Sequence, residues 1–159
     1  MTKVETEPGE RYWKLVEPHW ERVSIYDGPE VFLRDFERAP VAARHLLAAH
    51  WCQSEVCNGG FSQFFWNGTG VLAPEAVEAF DAIGMPKLAA LVRRAMVFCG
   101  STYVRDREQR VALLEHYEQR QPKSTRPFDE MNEQFYQLLR EEAGGWDRAA
   151  DAYAERHGG

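Results

Sequence analysis

The chain has 159 residues, enough for one domain that buries roughly 70% of its unfolded surface with no disulfide or metal to staple it. Hydrophobic residues make up 44% and aromatics 13%, with five Trp, which excludes a disordered chain. A formal net charge of −6, from 19 Lys+Arg against 25 Asp+Glu, argues against direct nucleic-acid binding, because phosphate repels such a surface.

Residues 1–9 read as a polar, flexible N-terminus with no apolar stretch to serve as a signal peptide. From residue 10 onward apolar residues recur at spacings of three and four, the helical period, and no strand pattern competes with it. The first helix carries Tyr12, Trp13, Leu15, Val16, His19, Trp20 and Val23 on one stripe. Pro18 lies inside it and predicts a kink or two short pieces. Tyr26-Asp27-Gly28-Pro29 is a turn, and Val31 to Phe36 is a short amphipathic helix.

Pro40 is placed to open a long helix whose inner face is Ala43, Leu46, Leu47, His50, Trp51 and Ser54. That helix is expected to stop at Asn58-Gly59-Gly60, where glycine takes the left-handed backbone that a helix end commonly needs. Phe61, Phe64 and Phe65 then share one face of a brief helix ended by Asn67-Gly68-Thr69-Gly70.

Pro74 opens the next helix and Gly84 closes it; Pro86 opens another that runs to Cys99. Gly100 to Tyr103 is loop, and Asp106 to Tyr117 is a charged helix with Val111, Leu113 and Leu114 as its apolar side. Gln121 to Pro127, with two prolines, is the most linker-like stretch. Phe128, Met131, Phe135, Leu138 and Leu139 form a clean stripe stopped at Gly144-Gly145, and a last helix carries Trp146, Ala149, Ala150 and Tyr153. The fold class is therefore all-α, a single compact domain over residues 10–157 with about seven or eight helices. No apolar run approaches the ~20 residues of a membrane span. Three cysteines make no disulfide framework, and the expected compartment is the cytoplasm.

Catalytic and metal chemistry find little support. His45 and His50 are five positions apart, as are Cys52 and Cys57, which rotates each pair off the shared face that helical metal ligands need at i and i+4. No metal and no cofactor are expected. Cys57 beside His50 is a thinkable nucleophile, but a helix C-terminus raises a thiol pKa. The glycine pairs lack a preceding strand and the phosphate-loop lysine. The protein is read as no enzyme.

Two clusters stand out. The first is a corner in which Glu55, Asn58, Gln63 and Asn67 are expected to lie close together beside Phe61, Phe64 and Phe65, with Gly59 and Gly60 letting the aromatic side chains approach. It reads as a structural motif or, alternatively, a ligand pocket. The second lies in the C-terminal fifth, where Asp129, Glu133 and Glu141 fall on one helical row with Glu130 and Glu142 beside it. Segment 126–159 holds eight Asp/Glu against four Arg.

The run Glu55-Val56-Cys57-Asn58-Gly59-Gly60-Phe61-Ser62-Gln63-Phe64-Phe65-Trp66-Asn67 resembles the hallmark of the bacterial DNA-mimic-protein (DMP-nineteen-like) domain family, over roughly residues 10–155. The resemblance implies an all-α fold and, for the namesake activity, an acidic surface that takes the place of duplex phosphates on a partner's DNA-binding face. Five arginines between Arg105 and Arg126 and the modest net charge depart from a polyanion. The expected function is a non-catalytic module that binds a protein, of basic or DNA-binding kind, through Asp129, Glu130, Glu133, Glu141 and Glu142. The alternatives are a small-ligand binder or enzyme using the Asn58–Asn67 corner, and a partner protein with a hydrophobic interface.

Overall fold

A computed structural model describes residues 5–23, 26–122 and 128–158. Every regular element among them is helical: α1 (Glu10–Trp20), α2 (Pro29–Glu37), α3 (Val41–Trp66), α4 (Ala73–Ile83), α5 (Pro86–Met96), α6 (Arg107–Arg120), α7 (Asp129–Glu141) and α8 (Trp146–His157). Short 3₁₀ turns follow α3, α5 and α7, at Gly68–Leu72, Val97–Cys99 and Glu142–Gly144. The long α3 lies at the centre, in contact with α1, α4, α6, α7 and α8. No helix of the described residues is long and apolar enough to cross a membrane.

One hydrophobic core runs through the whole domain. Phe32, Phe61, Phe64, Phe65, Phe80 and Phe135 are fully buried in it, and each such ring contributes on the order of 2–3 kcal/mol by leaving water. Helix starts follow the prolines, with Pro29, Pro74 and Pro86 in the first turns of α2, α4 and α5, where a missing N–H is harmless. Pro40 sits just outside α3 as its N-cap.

Pro18 does not break α1. It stands in the last turn of a helix that ends at Trp20, so the ring removes one terminal hydrogen bond and distorts nothing beyond it. The opening of the chain is tied at its end, because the Gly9 N–H donates to Asp151 at 2.8 Å and the Tyr12 N–H to the same carboxylate at 3.0 Å. Of the linker-like stretch, residues 123–127 lie outside the described residues, as do residues 1–4 of the polar N-terminal segment.

The break expected at Asn58-Gly59-Gly60 is present without a loop. Only Gly59 (φ −151°, ψ 21°) and Gly60 (φ 73°, ψ −177°) leave helical geometry, and the chain resumes at once as a second helical piece through Trp66. The Gly60 conformation is essentially closed to residues with a Cβ.

Candidate functional site

The kink in α3 organises the corner. Glu55 lies one turn before it, and Gln63, Asn67 and Thr69 come after it. The Gln63 Nε2 and Asn67 Nδ2 amides donate to Glu55 Oε2 at 2.7 and 2.9 Å, and the Thr69 hydroxyl donates to Oε1 at 3.2 Å. Asn58 Nδ2 donates to Gln63 Oε1 at 3.1 Å. The four amide and acid groups named from the sequence are thus gathered, and Thr69 joins them. One carboxylate staples the two halves of α3 to the following 3₁₀ turn with three neutral donors.

Helix α7 closes the other side of the kink. Asn132 Oδ1 accepts the Phe61 N–H at 2.9 Å, capping the second piece of α3, and the Tyr136 hydroxyl donates to the Val56 carbonyl of the first piece at 3.1 Å. These residues are i and i+4 on α7, so one helical face grips both sides of the break. Phe61 stacks on Phe65 and meets Phe135 edge-on at 5.4 Å between centroids. Phe128 begins α7 with φ 70°, costly for a residue with a side chain by about 1–3 kcal/mol. Its ring is held among Phe61, Phe65, Phe98 and Tyr117.

The C-terminus of α3 is capped by arginines. Arg110 is fully buried, yet among the described residues no carboxylate pairs with it. Its guanidinium donates to four backbone carbonyls: Phe65 at 2.6 Å, Arg105 at 2.7 Å, Asn67 at 2.8 Å and Val104 at 3.3 Å. Arg107 Nε donates to the Trp66 carbonyl at 2.8 Å. A cation at the carbonyl end of a helix is favoured by the dipole. The Tyr103 hydroxyl donates to the Gly70 carbonyl, and burial pushes that phenol far above its ordinary pKa. Gly70 itself is required, because a Cβ there would stand 2.5 Å from the Phe64 carbonyl oxygen and 3.0 Å from Arg110 Nη2.

Glu55, Gln63, Asn67 and Thr69 are therefore bonded to one another, which joins the two pieces of α3 to the turn that follows. Cys52 is fully buried, with its thiol pushed well up by desolvation, the reverse of an activated nucleophile. Cys57 is exposed, and burial of part of its side chain raises its thiol as well. His50 is directed away to the Tyr12 hydroxyl at 3.1 Å. Among the described residues no group of three His, Cys, Asp or Glu side chains is placed to hold a metal ion.

The model of the DMP19-like protein family matches residues 37–157, a span that includes the whole corner and every helix from α3 onward. The chain belongs to that family. No curated protein and no solved structure matches it.

The acidic residues are distributed more selectively than their spacing implies. Asp129, Glu130, Glu133 and Glu141 are exposed on α7. Among the described residues none of the four is in an ion pair; the Gln134 and Gln137 amides contact Glu130 and Glu141 at 3.4 and 3.3 Å. Glu142 lies past the end of α7 and turns inward. Its two carboxylate oxygens accept the Lys87 and Leu88 N–H groups at 2.8 and 2.9 Å, capping the N-terminus of α5 in place of Met85, which has no side-chain acceptor. Glu142 is thus a structural cap joining α7 to α5.

Arg110, Asn132 and Tyr136 were not singled out from the sequence. A signal for Arg110 was there: with Leu114 and Tyr117 it occupies positions i, i+4 and i+7, the inward stripe of α6. Of the apolar trio chosen for that helix only Leu114 is buried, and Leu113 is 37% exposed.

Proposed function

We propose that the protein is a binding module, not an enzyme, and that its recognition surface is the outer face of α7. The observation that carries this reading is the contrast between the two acidic groups: Glu55 and Glu142 are consumed by internal donors, while Asp129, Glu130, Glu133 and Glu141 are exposed with no ion-pair partner among the described residues. Asp129 and Glu141 are twelve positions apart, so the carboxylates are spread over about 18 Å of helix. Their inward-facing neighbours Asn132 and Tyr136 clamp the joint in α3, so the face is presented on a rigid support. The partner is a protein with a basic surface, and membership of the DMP19-like family makes a DNA-binding protein the class to try first.

Charge complementarity of this kind steers association at long range and is screened by salt. Glu133→Lys with Glu141→Lys is expected to weaken capture of a basic partner, with an unchanged thermal midpoint. Wild-type capture should fade from low to moderate salt, and duplex DNA should compete for the same partner. Capture that ignores salt and both reversals, but is lost with Trp66→Ala, would place the interface at the aromatic corner and end this reading.

A further inference from the structure

Where α2, α3 and α4 meet, Phe36, Val41, Arg44, His45, Glu75 and Glu78 line a cavity of about 170 Å³. Pockets for drug-sized molecules run from about 300 to 1,000 Å³, so this one suits a smaller guest. Its charged groups differ in what they have left to offer. Glu75 is neutralised by a two-pronged pair with Arg105 at 2.9 and 2.8 Å. His45 Nδ1 meets the Tyr153 hydroxyl at 2.6 Å, and desolvation lowers its pKa, which keeps the ring neutral at pH 7. Glu78 is 76% exposed, and its contact with His45 Nε2 is a long 3.8 Å. Arg44 stands apart: its Nε is sealed from solvent and finds no hydrogen-bond acceptor among the described residues. A buried donor left without an acceptor is uncommon and calls for an explanation.

We propose that this cavity binds a small zwitterion of amino-acid type, its carboxylate on Arg44, its ammonium on Glu78 and its apolar side chain against Phe36 and Val41. The planar guanidinium fork matches a carboxylate, and a turn of its head group brings the unpartnered N–H to the ligand. Glu78 has lone pairs to give an ammonium. Charges of opposite sign on Arg44 and Glu78, neither paired with an oppositely charged side chain among the described residues while His45 is neutral, select a zwitterion over a simple anion, and Glu78 repels polyanions such as nucleotide phosphates. The site is separate from the α7 face and stands or falls independently of it.

Calorimetric titration of the full chain with leucine, isocaproate and isoamylamine isolates each charge, since the three probes share one apolar group. Leucine is expected to bind tightest, isocaproate about tenfold more weakly, and isoamylamine not measurably. Glu78→Gln, at an exposed side chain, should reduce leucine to the affinity of isocaproate and leave isocaproate unchanged. Arg44→Gln should abolish binding of both at a retained thermal midpoint; if that variant unfolds, Glu78→Gln alone decides. No binding of leucine at millimolar concentration, or equal leucine affinity in wild type and Glu78→Gln, overturns the proposal.

Discussion

Asn132 Oδ1 accepts the Phe61 N–H at 2.9 Å across 71 positions of sequence, and its amide nitrogen lies 2.5 Å from where a Cβ on Gly60 would stand. The bare backbone at Gly60 therefore makes room for the side chain that caps its neighbour. Local conformation and tertiary packing at this corner are one arrangement.

That relationship yields a double-mutant test. Gly60→Ala should destabilise by about 1–3 kcal/mol, from the positive φ and the collision with Asn132. Asn132→Ala should cost about 1 kcal/mol, as loss of a helix cap does. Combined, they should cost less than the sum, because removing the amide relieves the collision. Urea unfolding measures all three, and strict additivity would mean that the two residues do not meet. Gly59→Val should also destabilise, through Gln63, whose Cβ lies 2.8 Å from the new Cβ position.

Arg110 is expected to be the least replaceable charged residue of the fold. Arg110→Leu leaves four carbonyls without their donor, and Arg110→Lys supplies one compact ammonium that cannot span them. Each should cost about 3 kcal/mol or more. A thermal midpoint for Arg110→Lys within a few degrees of wild type would show that the fork geometry is dispensable.

Glu142 and Glu133 should separate cleanly despite similar chemistry. Glu142→Ala removes the acceptor for the Lys87 and Leu88 N–H groups and should cost about 1 kcal/mol. Glu133→Ala, on an exposed face, should change stability by less than about 0.5 kcal/mol. Equal effects in chemical denaturation would contradict the division of roles on which the binding surface rests.

His50 makes the fold sensitive to acid. It is packed against Tyr12, Trp13 and Trp20, and desolvation lowers its pKa from the ordinary value of 6.5. The unfolded chain then takes up a proton first as pH falls. The contribution to stability is complete above the unfolded value of about 6.5 and is lost as pH drops through it toward the folded value. His45 is shifted in the same direction by burial, partly opposed by Glu78. The unfolding free energy should fall between neutral pH and mild acid, and His50→Gln should make the fall shallower. A pH profile of the variant parallel to wild type would remove His50 from the account.

Much of the architecture was legible along the chain because its causes are local. Pro74 with Gly84 and Pro86 mark helix starts and stops wherever they occur, and the spacing of Phe61, Phe64 and Phe65 sets a buried face on any helix. The proximity of Glu55, Gln63 and Asn67 follows from helical spacing on both sides of one kink. The family resemblance rests on that same contiguous run, and the family match bears it out.

What escaped was set by which helices pack together. Pro18 is harmless only because α1 ends two residues later. Arg110 enters the interior because the carbonyl end of α3 arrives beside α6. Glu142 faces inward because the start of α5 lies 55 positions away in sequence and 2.8 Å away in space. Period and turn chemistry act within one or two helical turns, so the sequence by itself determined an all-α chain with a glycine-hinged, polar-stapled corner. A hydrogen bond between distant segments exists only after packing has placed both ends, so the tertiary structure alone decided which charges became caps and which remained on the surface.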